Sequence, residues 1–334
     1  MSRFRMRHTM ALAVALLALA VPVALAAFVA TISNSGNSFQ AAAMFPGAIK
    51  MATGTYTGDA SDNRAIAVGF QPDFVIVKDT NTTEAAARSS SMTGDVSKPM
   101  GSATAFAADH IQSLTATGFT IGTNNRVNRS GRTYHWVAFK ANSQAMRVGT
   151  YNGTGAAQSF TGFGFSPEAV ILMGNNAARA VTRMSGMSRS FGFDNTTGVT
   201  TAVTALNADG FSVGTGAEAN TNGVGYHYVA FNDFANSIDV ASYAGNNTDS
   251  TNISTVGFQP EFVLVRANDT VTGRFANWRP SSLAGDSTLL FTATAAGNNR
   301  IQALQANGFQ VGTSTDLNAS TVNYNYLAVR SSAP

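Results

Sequence analysis

The chain contains no cysteine. That excludes a disulfide framework, a thiol nucleophile and any thiolate metal site. Charge is scarce as well, at 12% of 334 residues. The formal charge of +3 comes entirely from Arg3, Arg5 and Arg7 at the extreme N-terminus, and the remaining 18 basic side chains face 18 acidic ones. The pI near 9.3 is therefore no argument for nucleic acid, and no Lys/Arg stripe with interleaved aromatics is present to bind phosphates. Convincing helical periodicity is confined to the first residues, with one further helical turn suggested at 84–88. No nucleotide loop, Gly-x-Ser-x-Gly elbow, His-Glu-x-x-His motif or repeated carboxylate pair occurs. These absences leave little room for catalysis and none for thiol or nucleotide chemistry.

What fills the chain is Gly, Asn, Thr, Ser and Ala with 22 Phe, and 44% of residues are apolar. Such a composition suits short strands and turns around a packed core. It is also threefold repetitive. Thr53-Gly-Thr-Tyr-Thr-Gly58 returns as Val148-Gly-Thr-Tyr-Asn-Gly153 and Ala241-Ser-Tyr-Ala-Gly245. Each copy then passes Gly69-Phe-Gln-Pro-Asp73, Gly164-Phe-Ser-Pro-Glu168 or Gly257-Phe-Gln-Pro-Glu261. A Gly-Phe-x-aliphatic-Gly step follows at 118–122, 210–214 and 308–312, and an aromatic strand closes each copy at 134–139, 226–231 and 324–329. The period of roughly 90 to 98 residues is that of a small domain, too long for a solenoid unit.

Residues 1–8 are basic, 10–20 are an unbroken apolar run, and Ala24-Leu-Ala26-Ala27 is a small-x-small cleavage pattern. Residues 1–27 thus read as a secretory signal peptide. A retained anchor is the competing reading, because 10–32 is long and apolar enough to span a bilayer. A linker-like segment follows at 28–50, then repeats at 51–142, 146–235 and 238–332. The joints Ala141-Asn-Ser-Gln-Ala145 and Asp233-Phe-Ala-Asn-Ser237 are short, which predicts a stiff string of self-contained domains.

Within a repeat the elements read as strands. Phe74-Val-Ile-Val77, 169–173 and 262–265 are short apolar runs opened by Pro-acid, as in strands buried on both faces. Residues 111–114 and 119–121 flank Thr115-Ala-Thr-Gly118, a hairpin whose Gly is expected to supply positive φ. The closing strand carries Tyr134, Trp136 and Ala138 on one face and His135, Val137 and Phe139 on the other, so it should be central in a sheet. Seven to eight strands in roughly 90 residues predict an all-β fold of three tandem antiparallel β-sandwiches, jelly-roll-like.

Two resemblances add to this. Residues 28–42, with Phe28-Val-Ala-Thr-Ile-Ser-Asn-Ser-Gly-Asn-Ser-Phe39, resemble the start of SipW-type (TasA/camelysin-like) exported fibre proteins. The repeat as a whole resembles an uncharacterised β-rich domain of phage tail or fibre proteins and bacterial surface proteins. Repeat one shows its full run: Tyr56, 69–78, Arg88-Ser-Ser-Ser-Met-Thr-Gly-Asp95, 118–122 and 134–139. Repeat three keeps Arg279-Pro-Ser-Ser-Leu-Ala-Gly-Asp286, whereas repeat two has Arg183-Met-Ser-Gly-Met-Ser-Arg189 without Gly-Asp. The resemblance implies a lectin-like or appendage sandwich and brings no catalytic residues with it.

Candidate sites follow from what recurs. Arg88, Arg183 and Arg279 could grip a ligand carboxylate or sugar, or be tied to Asp73, Glu168 and Glu261 within the fold. Those acids could themselves take Ca²⁺ or hydroxyls, or simply pair locally. Trp278, in a polar stretch, is the better sugar platform, since Trp136 lies on a core strand. Asp59 and Asp62 place oxygens close together, as Ca²⁺ favours, though a solvated turn explains them too. His135 and His227 share a position that Asn325 occupies in the third copy, so a hydrogen-bonding role is expected there.

The expected function is a secreted or cell-surface structural or adhesive protein, with no enzymatic activity and no required cofactor. It could be a filament subunit joined by strand addition through 28–46. A multivalent carbohydrate-binding module is the alternative, with a glycoside hydrolase as the third option. The expected partners are other copies, a neighbouring surface protein or polysaccharide. No nucleic acid is expected, and a membrane only through an uncleaved leader.

Overall fold

Each repeat is an eight-stranded antiparallel sandwich of a five-stranded and a three-stranded sheet. The structure, a computed structural model, describes residues 31–34, 37–40, 49–270 and 273–331. The leader and most of the segment expected to donate a strand lie outside the described residues. Within that segment Thr31–Asn34 and Asn37–Gln40 pair with each other.

In repeat one the five-stranded sheet runs Lys50–Thr57, Thr133–Lys140, Phe74–Asp79, Ala86–Ser89, Lys98–Pro99. The three-stranded sheet runs Arg64–Ala67, Gly118–Ile121, Ile111–Thr115. The other two repeats keep the same order. The closing strand is central, as its two apolar faces require, with partners on both sides. Residues 86–89, where a helical turn was suggested, are a fully buried strand instead. Helix occurs only as the single turns Asn125–Asn128 and Thr315–Asn318 among the described residues.

The hairpin glycines serve a different purpose from the one expected. Gly210 has positive φ (146°), but Gly118 and Gly308 do not share it. All three lie against the neighbouring strand. A Cβ at Gly118, Gly210 or Gly308 would sit about 2 Å from the carbonyl oxygen of Ile66, Phe160 or Ile253. Close backbone approach is the requirement here.

Every repeat has an outer core between its two sheets. In repeat one it holds Tyr56, Val75, Val77, Phe119, Tyr134 and Trp136. A tyrosine pair anchors its end. Tyr134 Oη donates to Asn125 O at 2.7 Å and accepts from Arg129 N at 2.8 Å, and the ring stacks on Tyr56 at 5.2 Å. Tyr151/Tyr226 and Tyr243/Tyr324 repeat this at 5.3 and 5.4 Å.

The opposite face of each five-stranded sheet enters one core shared by all three repeats. Phe139 packs edge-on against Phe231 of repeat two (5.6 Å) and Phe262 of repeat three (5.4 Å). Met51, Ile76, Val137, Ile171, Val229, Leu264, Leu327 and Val329 belong to the same cluster. The expected stiff string of self-contained sandwiches is thereby corrected. The short joints turn the chain so that the repeats close into a three-membered ring, and Gly47–Ser332 form one compact unit. The physical reason is the second apolar face of each large sheet, which has no partner inside its own repeat.

Candidate functional site

Around the shared core one register position closes all three junctions. His135 Nδ1 meets Ser282 Oγ at 3.1 Å, His227 Nδ1 meets Ser91 Oγ at 2.8 Å, and Asn325 Nδ2 donates to Ser185 O. Repeat one thus reaches repeat three, repeat two reaches repeat one, and repeat three reaches repeat two. This cyclic pattern is that of a heterologous interface that closes. Burial, and then the nearby Arg279 or Arg88, pushes both imidazoles down to about 4. They are neutral hydrogen-bonding groups at neutral pH.

Buried cations reinforce two junctions. Lys98 of repeat one places Nζ among Gly174 O (2.9 Å), Asn176 O (3.2 Å) and Ala178 O (2.7 Å) of repeat two. Burial pushes this ammonium down to about 8. Arg266 of repeat three donates to Gly192 O (3.1 Å) and Thr196 O (3.0 Å) of repeat two and lies over Phe191 at 5.0 Å. The third junction uses backbone, with Ala85 N donating to Phe291 O (2.8 Å) and Ala296 N to Thr80 O (2.9 Å).

The recurrent arginines are scaffold staples. Arg88, 5% exposed, donates to the carbonyls of Met92 (3.2 Å), Gly94 (2.7 Å), Val96 and Ile111 (3.4 Å). Arg279, 6% exposed, repeats the set with Leu283 (3.0 Å), Gly285 (2.6 Å), Ser287 and Ile301 (3.2 Å). Arg183 keeps a reduced version, to Ser188 O (3.5 Å) and Val203 O (3.1 Å). In Arg88 and Arg279 both terminal nitrogens are turned to main-chain oxygens inside a loop, so the fork does not face outward. The acids after proline are not their partners: Asp73 instead pairs with Lys140 at 3.0 Å and accepts from Ala141 N at 2.9 Å.

Trp278 is corrected most sharply. It is fully buried in the shared core between Phe262 (5.9 Å) and Phe291 (5.8 Å) and offers no sugar platform. Its register partners Leu264 and Leu289 put it on the inward face of the sheet. Trp136 lies in the outer core of repeat one. Asp59 and Asp62 hold a turn. Asp59 pairs with Arg64 at 3.3 Å and accepts from Ser61 N, while Asp62 accepts from Asn63 N and Gln112 Nε2. Among the described residues no group of three or more His, Cys, Asp or Glu side chains stands ready for a metal.

Two features escaped the sequence reading. Asn128, Asn220 and Asn318 are buried and fasten the loop after the first strand, donating to Ser61 O, Ala156 O and Thr248 O respectively. Their signal was a shared Asn at one offset before the closing strand. The second is a cleft of about 350 Å³ at the joint between repeats one and two, lined among others by Asp73, Ser90, Asn142, Met146, Arg147 and Phe163. There the Arg147 guanidinium stacks over the Phe163 ring at 4.9 Å.

Residues 49–147, one repeat with its flanks, match a domain of unknown function (DUF7483). No curated protein matches the chain.

Proposed function

We propose that the protein is an exported structural or adhesive component of the cell surface, acting by binding and building rather than by catalysis. The observation that carries this reading is where the polar groups common to the copies point. The arginines, the tyrosine pairs and the buried asparagines all engage main-chain groups within the scaffold. What repeats is a body, and a body without a repeated reactive group suits display. The basic-apolar leader supports export. The likenesses to SipW-type exported fibre proteins and to phage-fibre and surface repeats agree with an appendage role.

Assembly into filaments would fall to 28–46, adding as a strand to a neighbour's sheet edge. Cell fractionation tests the location: the protein should appear in the surface or culture-fluid fraction, and retention in the cytoplasm would sink the reading. Electron microscopy of the mature protein tests the assembly. Filaments lost on deleting 28–46 support strand addition, and monomers at high concentration overturn it. The second reading, a polysaccharide-binding module, is favoured by the cleft at the first joint.

A further inference from the structure

The ring offers three versions of one location, so the copies act as controls for each other. At each joint the acid after proline of one repeat approaches the first strand of the next. One position of that strand is matched across the copies by its pairing with the closing strand: Ala52 opposite Ala138, Arg147 opposite Ala230, Asp239 opposite Ala328. The residue before the Gly-Phe step is Val68, Phe163 or Val256. The strand position thus differs in every copy, whereas Phe163 departs from a valine shared by the other two, and Arg147 and Phe163 touch. A cation over a ring recurs in the other copies, Lys50 over Phe70 at 5.0 Å and Arg330 over Phe258 at 5.1 Å, but there the ring belongs to the Gly-Phe step itself, whereas Phe163 lies one residue before it.

The three locations differ in chemistry accordingly. At the joint of repeats two and three, Asp233 lies near both Asp239 and Glu168. Burial, with Asp239 and Glu168 close by, raises the Asp233 carboxyl, and burial raises Asp239, which accepts from Tyr326 Oη at 2.6 Å. At the closure of repeat three onto repeat one, Glu261 accepts from Ser331 N at 2.7 Å, Ala52 offers no charge, and the cation of that strand, Lys50, lies over Phe70 at 5.0 Å. The joint of repeats one and two combines a cation, an anion and an aromatic ring in one cleft.

That cleft is held in shape. Asp73 is fixed by Lys140 and Ala141 N. Asn142 Oδ1 caps the joint by accepting from Gln144 N (3.0 Å) and Ala145 N (2.7 Å). The loop carrying Phe163 is pinned by Asp209, which accepts from Gly162 N (2.8 Å) and Gly164 N (2.7 Å). Those bonds, and at longer range Arg147, hold the Asp209 carboxyl below its ordinary value. Arg147 itself donates to Gly162 O. A guanidinium has five N–H donors, so one carbonyl leaves most of the fork for a ligand.

We propose that this cleft binds a saccharide bearing a carboxylate. Arg147 takes the carboxylate through its planar fork, with Phe163 stacked against the guanidinium to hold it flat. Asp73, Ser90 and Asn142 meet the ring hydroxyls, and Met146 forms part of the apolar floor. The volume lies at the small end of ligand sites, which suits one or two sugar rings. The proposal rests on the surface-binding reading above and names its ligand class.

The probe is a glucuronate-containing tetrasaccharide, titrated into the purified protein by calorimetry beside its carboxyl-reduced form. Reduction to the neutral sugar should weaken binding by about tenfold or more, and Arg147→Ala should do the same to the acidic probe. Phe163→Val installs the residue of the other copies and should weaken binding several-fold. It also keeps the test sound should Arg147→Ala fail to fold by thermal melting. Asp239→Ala, at the equivalent position of the next joint, should leave binding unchanged. Equal binding of the two sugars, binding of neither, or full binding by both cleft variants would overturn the proposal. Surface fractionation is unaffected by any of these results, so failure of the cleft and failure of the surface reading stay distinguishable.

Discussion

The two faces of the closing strand obey different rules. Its outer face is nearly the same in every copy: Tyr134, Tyr226 and Tyr324, then Trp136, Tyr228 and Tyr326, then Ala138, Ala230 and Ala328. That face completes a sandwich within one repeat and meets neighbours from its own repeat each time. The inner face varies: Phe139, Phe231 and Val329, with Val137, Val229 and Leu327. It meets other repeats, and a large residue in one copy is accommodated by a smaller one in another. The outer cores were free to stay alike, whereas the inner core had to be adjusted as a set. The repeats therefore pack as one unit in spite of their sequence periodicity.

The largest test removes a side chain from each face. Phe139→Ala should cost about 3–5 kcal/mol, the range for emptying a packed aromatic site. It should loosen all three repeats together. Phe119→Ala, in the outer core of repeat one, should cost a similar amount. The two tryptophans report the difference, since Trp136 lies in that outer core and Trp278 in the shared one. In denaturant, with Trp136→Phe or Trp278→Phe to isolate each signal, the wild-type transitions should coincide. Under Phe139→Ala both should move together. A Trp278 transition well ahead of Trp136 would show outer cores that stand alone and would break the comparison.

A smaller effect separates repeat two from its neighbours. Arg88→Met strands four buried carbonyls and should cost about 3 kcal/mol, given the worth of charged hydrogen bonds and the penalty for unmet acceptors. Arg279→Met should match it. Arg183→Met removes only two contacts in a turn without Gly-Asp, and about 1 kcal/mol is expected. Thermal or urea unfolding of the three variants measures this, and equal losses at all three would mean that the carbonyl cradle is not what matters.

The strands, the sandwich and the recurrence of one arginine were legible because they are local. A Pro-acid step opens a strand, and a Gly-Phe step closes a hairpin, wherever they fold. The closing strand also announced two apolar faces, and from them its central place in the sheet. What sequence withheld was the occupant of the second face. Val137 and Phe139 say that a surface is buried without saying whether a loop or another repeat covers it. Trp278 was misjudged for that reason: its polar neighbours suggested exposure, but its pairing turns it toward the ring. The arginines were expected to meet the recurrent acids, because a charge invites a counter-charge. Carbonyl groups, which every residue carries, leave no trace in a side-chain pattern. The cleft, by contrast, was readable in principle, since Arg147 and Phe163 stand out once the copies are aligned.

The inner face also predicts how acid acts. His135 and His227 have folded values of about 4 against an ordinary 6.5, so between those limits the unfolded chain binds more protons. Stability should therefore be complete above pH 6.5 and fall as pH drops toward 4. His110, lowered by burial and then Arg126, acts in the same direction, while Asp233 and Asp239, whose values are raised, act against it. The expected loss is on the order of 2–3 kcal/mol per imidazole at pH 4.5. Both histidines sit at junctions of repeat one, to repeat three and to repeat two. The junction of repeats two and three has Asn325 at this position, which does not titrate, and the raised Asp233 and Asp239 at its joint favour the folded form as the pH falls. Acid should thus loosen repeat one first, and Trp136 should become exposed as it does. Replacing His135 and His227 by Asn, the residue of the third junction, should flatten the profile between pH 6.5 and 4.5 relative to wild type. Hydrogen exchange on the same samples should show the first repeat opening ahead of the other two. If the double variant keeps the wild-type slope, the acid response belongs to His110 or the carboxylates and not to the junction position that His135, His227 and Asn325 share.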